Sequence, residues 1–137
     1  MLKIPKREFE KIIDFCVWEY PREACGLIAG FKRNGISYVR RVYPLRNIAK
    51  SPFMYEADAE ELYNAFMSID RDRLDFLGIY HSHPFGRAEP SELDRRRAFY
   101  PNAVYVIVSL EGRRVYDVKA YLWDGQEFAE CDFSVEI

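Results

Sequence analysis

The sequence holds only two histidines and three cysteines in 137 residues. None of the cysteines (Cys16, Cys25 and Cys131) lies in a C-x-x-C pair, and their number is odd. Neither a disulfide framework nor a cysteine zinc site is therefore indicated. Cys16 and Cys25 are expected to pack in the interior as small apolar residues, and Cys131 has no evident partner. No apolar run approaches the ~20 residues that a bilayer span needs, so no membrane role is expected. The opening residues, Met1 to Lys6, lack the apolar stretch of a secretory signal, which leads to the expectation of a cytoplasmic protein. Lys and Arg number 20 against 22 Asp and Glu, for a net charge of -2, so there is no basic footprint for nucleic acid. Repeats, low-complexity tracts and linker-like shifts in composition are absent. One domain over residues 1–137 is expected.

What is present is strong hydrophobic patterning. Phe9, Ile12, Ile13, Cys16, Val17 and Tyr20 recur at helical spacing, with Pro5 ahead of them and Pro21 behind. An apolar run from Cys25 to Phe31, the turn pair Asn34-Gly35 and an alternating segment from Ile36 to Tyr43 predict a β-hairpin. Pro44 to Tyr55 is expected to be irregular. Asp58 and Glu61 resemble a helix start, and Ala59, Leu62, Tyr63, Phe66 and Met67 carry the helix to about Asp70. Leu74 to Tyr80 is a strand candidate, Ser82 to Pro90 a loop, and Ser91 to about Tyr100 a third helix ended by Pro101. Ala103 to Val108 predicts a strand buried on both faces. Two further strands follow, from Arg114 to Trp123 and after Asp124-Gly125. The fold class is α+β, with about three helices packed on one mixed sheet.

The two histidines, His81 and His83, stand at i and i+2, and on a strand such side chains share a face. Both imidazoles could reach one metal ion, and Asp94, eleven residues after His83, could add a carboxylate oxygen. Two histidines and one carboxylate would leave a fourth tetrahedral position open, the form of a catalytic rather than a structural zinc site. Local chemistry also allows plainer roles. Isolated H-x-H pairs are often no more than satisfied polar groups. Ser91 and Asp94 match the capping box of a helix start, which one side chain could combine with a metal contact.

Over His81 to Asp94 the chain reads H-S-H-P-F-G-R-A-E-P-S-E-L-D. This resembles the JAMM (MPN+) metalloprotease family, whose signature is H-x-H-x7-S-x-x-D with a glutamate far upstream. Glu23-Ala24-Cys25-Gly26-Leu27-Ile28-Ala29-Gly30 is similar to the family's E-x-C-G-L-L-x-G segment. The prolines and glycine after His83 resemble the small stand-alone prokaryotic or archaeal members. The resemblance implies a cytidine-deaminase-like α/β/α layering and a zinc ion on His81, His83 and Asp94. It implies Glu23 as general base and Ser91 as hydrogen-bond donor to the developing oxyanion. The implied activity is hydrolysis of the amide bond after the C-terminal Gly-Gly tail of a ubiquitin-like protein. An alternative within the family is a peptidase of sulfur-carrier metabolism, releasing an amino acid or short tail from a carrier protein. A non-catalytic scaffold is a third possibility, set against by the intact ligand set and Glu23. Cys25 is read chiefly as core, and Arg95-Arg96-Arg97 as a solvated helix face.

Overall fold

A computed structural model describes Met1–Ile137. The chain forms β1 (Leu2–Pro5), α1 (Lys6–Glu19), β2 (Cys25–Arg33), β3 (Ile36–Leu45), α2 (Ala59–Arg71) and β4 (Asp75–His83). After these come α3 (Glu92–Arg96), β5 (Val104–Glu111), β6 (Arg114–Trp123), β7 (Phe128–Cys131) and β8 (Phe133–Glu136). The apolar stripe of α1 buries Ile12 and Cys16 completely. Glu8 on the same helix is also buried, and its Oε2 accepts the backbone N–H of Val42 at 3.1 Å. Asn34 and Gly35 both take positive φ, 52° and 78°, the backbone that a two-residue type I′ hairpin requires.

All eight strands form one mixed sheet in the order β7-β6-β5-β4-β2-β3-β1-β8. The β4–β5, β1–β3 and β1–β8 pairs are parallel and the others antiparallel. Only Asp132 separates β7 from β8, so the two ends of this order belong to one kinked segment. The Leu2 amide donates to the Asp132 carbonyl at 2.9 Å, and the sheet closes on itself at that seam. On one face Ile12 and Cys16 of α1 pack among Ile28, Val39, Tyr80, Val106 and Val108. On the other, Ala65 and Ile69 of α2 pack against Leu27, Ala29, Ile79 and Tyr105. β5 thus contributes to both cores, and the layering is helix, sheet, helix as expected.

The strand that carries the histidines contains an irregularity. In the β2–β4 pairing, Ile28 faces Gly78 and Ala29 faces Phe76, which leaves Leu77 as an extra residue. Leu77 and Tyr80 therefore share the α1 face although three residues apart, and Ile79 starts an alternation that leads to His81 and His83 on the α2 face. Gly78 sits against β5 so closely that a Cβ there would overlap the Val104 carbonyl.

Several elements differ from the sequence expectation. β1 and β8 are four-residue strands too short to pattern by themselves, and each is held by pairing with the other. β4 runs on to His83, its last residue, so both histidines lie on the strand and the loop begins at Pro84 rather than at Ser82. α3 stops at Arg96, because Tyr100 turns inward to pack on Phe76 and Phe66, with ring centroids 5.1 and 6.1 Å away. On α2, Tyr63 and Met67 face solvent, and Leu62, Ala65, Phe66 and Ile69 form the packed stripe. Gly78→Ala should lower stability by about 1–3 kcal/mol, the usual cost of overpacking. Urea unfolding of the purified variant measures this, with an unchanged m-value expected.

Candidate metal centre

His81 and His83 project from the α2 face of β4, and Asp94 reaches them from the first turn of α3. Their donor atoms form a compact triangle. His81 Nε2 lies 3.2 Å from His83 Nε2 and 3.2 Å from Asp94 Oδ2, and His83 Nε2 lies 3.0 Å from the same oxygen. These three atoms could hold a metal ion. A tetrahedral centre with bonds of about 2.0 Å separates its donors by about 3.3 Å, close to the observed edges. The loop from Pro84 to Pro90 is fastened from below: Tyr121 Oη donates to the Ala88 carbonyl at 2.6 Å, and Ser109 Oγ donates to the Gly86 carbonyl.

Hydrogen-bond chemistry points the same way. His83 Nδ1 is 2.7 Å from the Arg87 carbonyl oxygen, which can only accept, so Nδ1 carries the hydrogen. In the neutral ring Nε2 then has a lone pair, and it faces a carboxylate oxygen and a second imidazole nitrogen. A cation or an additional proton is needed among these three atoms. Burial pulls the His83 pKa down, but its bonds to Asp94 and the Arg87 carbonyl outweigh that and raise it overall. Burial pushes Asp94 up, but the two imidazoles and the Ser91 amide hold its carboxyl far below the usual carboxylate range. Asp94 also completes the capping box of α3: the Ser91 amide donates to its Oδ2 at 2.9 Å, and its own amide donates to Ser91 Oγ at 3.0 Å. The two roles weighed for Asp94 are thus compatible through one oxygen. The cap uses a lone pair of Ser91 Oγ and leaves the hydroxyl hydrogen free.

Glu23 reaches the same face by register. β2 pairs antiparallel with β4, Cys25 opposite His81, and the Ser82 amide continues the ladder to the Ala24 carbonyl at 3.1 Å. Glu23, two residues before Cys25, falls on the face of the imidazoles. It is 3% exposed, and its Oε1 has no hydrogen-bond partner. Burial pushes its pKa up to about 8, with His83 opposing and Asp94 reinforcing the shift.

The family model described as prokaryotic homologs of the JAB domain matches residues 5–123. The chain belongs to this family. A desampylase of Haloferax volcanii is 38% identical over 117 residues, 85% of this chain and 80% of that protein. A probable TtuB-protein conjugate cleaving protease of Thermus thermophilus is 37% identical over 130 residues, 94% of this chain and 81% of the relative. A CysO-cysteine peptidase of Mycobacterium tuberculosis is 34% identical over 104 residues, 75% of this chain and 69% of the relative. Among solved structures, a protein from Desulfitobacterium hafniense superposes with a TM-score of 0.88 at 32% identity, covering 99% of this chain and 93% of that one.

Other residues of this JAB-domain protein matter at the site and carry no spacing signal. Ser82 Oγ, on the opposite face from the histidines, accepts the Ala24 amide at 2.8 Å and ties β4 to the segment of Glu23. The Tyr55 ring packs against His81 at a tilt, with centroids 5.0 Å apart, and His81 Nδ1 has no hydrogen-bond partner, so packing sets that ring. Arg97 is not a solvated charge: its Nη1 donates to the Tyr55 carbonyl at 3.1 Å and fastens α3 to this wall. Cys25 is core, 1% exposed, with its thiol pushed up to about 12 by burial, and it is not in the group of converging donor atoms. An apolar cavity of about 200 Å³ opens beside Asp94, lined by Cys25, Leu27, Met54, Tyr55 and Phe99 among others.

In metal-free protein the raised Glu23 carboxyl makes the fold bind a proton that the unfolded chain releases. That contribution is complete below the ordinary value of 4.5 and is lost as pH rises through about 8. His83, also raised, acts in the same direction. Chelated protein should therefore lose stability between pH 4.5 and 8, on the order of a few kcal/mol. Glu23→Gln should reduce that slope, as measured by urea unfolding across that range.

Proposed function

We propose that this chain is a zinc-dependent isopeptidase or peptidase, a single-domain cytoplasmic enzyme that hydrolyses the amide bond after the Gly-Gly tail of a ubiquitin-like modifier. The observation that carries the reading is the convergence of His81, His83 and Asp94 in a triangle of 3.0–3.2 Å beside the buried carboxyl of Glu23. The relatives named for cleaving protein conjugates support the substrate class. Two residues after His83, Phe85 adjoins the rings of Tyr20 and Phe53 with centroids 5.7 and 6.3 Å apart, and Phe53 and Phe85 are exposed. Exposed aromatics in contact suit a protein partner better than a small molecule.

His81 Nε2, His83 Nε2 and Asp94 Oδ2 would hold the ion. When bound, zinc supplies Lewis-acid chemistry, acidifying water and polarising the scissile carbonyl. Glu23 takes a proton from the attacking water as its oxygen joins the carbonyl carbon. Burial without a hydrogen-bond partner keeps this carboxyl basic, so it retains the proton until transfer. Ser91 donates its free hydroxyl hydrogen to the carbonyl oxygen as negative charge builds there. The C–N bond then breaks, and Glu23 passes its proton to the leaving amine.

A second reading, release of an amino acid from a sulfur-carrier protein, is favoured by the relative named as a CysO-cysteine peptidase. The chemistry is the same and only the leaving amine differs. Mass spectrometry of products from lysine-linked conjugates and from a carrier–cysteine adduct separates the two. Glu23→Ala should keep one zinc per chain and lose turnover by about 10²–10⁴-fold. His81→Ala should lose the metal. Full turnover in Glu23→Ala would contradict the mechanism.

A further inference from the structure

Glu23 carries no side-chain hydrogen bond on Oε1, so that bond cannot hold its carboxyl over the cluster. Its backbone is held instead. The Glu23 amide donates to the Ser51 carbonyl at 2.8 Å, and the Glu23 carbonyl accepts from Asn47 Nδ2 at 3.0 Å. Asn47 is 5% exposed and uses all of its hydrogen-bonding capacity. Its second Nδ2 hydrogen goes to the Met54 carbonyl at 3.1 Å, and its Oδ1 accepts the amides of Ala49 at 3.0 Å and Glu56 at 2.9 Å. One buried amide thus joins Glu23 to the whole irregular segment from Ala49 to Glu56. That segment includes Tyr55, which sets the His81 ring.

We infer that Asn47 is a positioning residue for the reaction: it fixes the place of the Glu23 carboxyl relative to the histidine–aspartate cluster without touching substrate or metal. The inference rests on Glu23 acting as the proton carrier of the proposed hydrolysis. Its physical basis is the geometry of proton transfer. A displacement of about 1 Å in a reacting group can cost ~10²-fold in rate, and a glutamate with a free carboxyl transmits any backbone shift directly to its oxygens. Asn47→Ala removes both halves of the clasp. Asn47→Asp keeps the two acceptor bonds that shape the Ala49–Glu56 segment but replaces the donors to Glu23 and Met54 with an oxygen facing two carbonyls. Both variants should weaken the hold on Glu23, and the second does so with the segment's own turn intact.

The test is a double-mutant cycle in zinc-loaded full-length protein, with a ubiquitin-like protein joined through its Gly-Gly carboxyl to a lysine side chain as the probe. Asn47→Ala and Asn47→Asp should each lower kcat by about 10–100-fold. KM should stay within about twofold and zinc at one per chain. In a Glu23→Ala background, Asn47→Ala should cause no further loss, because its effect passes through the missing carboxyl. Additive losses in the cycle, or a rise in KM with kcat unchanged, would overturn the inference while leaving the role of Glu23 standing. Full activity of Glu23→Ala alone would instead remove the reading on which it rests. Hydrogen exchange supplies a readout independent of turnover. The Glu23 amide should lose protection in both Asn47 variants while the amides of β4 keep theirs, and unchanged protection at Glu23 would overturn the inference equally.

Discussion

Antiparallel pairing of β2 with β4, in the register that sets Cys25 opposite His81, governs everything at the site. It puts Glu23 on the face of the imidazoles. The extra residue at Leu77 sets which face that is. A slip of one residue would turn both histidines toward α1 and into a packed apolar core. Ser82 secures the register from the opposite face, and Gly78 permits the close approach of β5 on the other side. The closed sheet and the two helices that cover it make this arrangement rigid, which is what precise placement of reactive groups needs.

The electrostatics follow from that placement. Two imidazoles and two carboxyl groups, largely out of water, form a cluster whose protonation is not self-sufficient. His83 is fixed as a donor to Arg87 and presents a lone pair to Asp94. Asp94 is drawn strongly to its ionised form, while Glu23 is pushed toward its neutral one. Two carboxyl groups whose environments separate them in this way are suited to separate tasks, one holding charge and one carrying a proton.

Much of this was legible in the sequence, and the remainder was not for identifiable reasons. The i, i+2 spacing of His81 and His83 and the Ser91–Asp94 box are local patterns, and the structure brings these residues together. Glu23 lies 58 residues from His81, and only the resemblance to a family motif drew attention to it. Asn47, Tyr55 and Ser82 had no such marker. Their roles depend on strand pairing and on the course of an irregular segment, neither of which has a periodicity to read. The same holds for β1 and β8, which are set by pairing between segments distant in sequence, β1 with β3 and β8 with β1. The Arg95–Arg97 run looked like a solvated face, and one member, Arg97, turned out to bond to a carbonyl that becomes its neighbour only in the folded chain.

The proposed hydrolysis requires that His81, His83 and Asp94 form a nitrogen- and oxygen-donor metal site with an open position. X-ray absorption at the zinc edge of the loaded protein tests it most directly. Four light donors at about 2.0–2.1 Å, with the scattering pattern of two imidazoles and no sulfur contribution, are expected. Sulfur at about 2.3 Å, which would bring Cys25 into the shell, or fewer than two imidazoles, would contradict it.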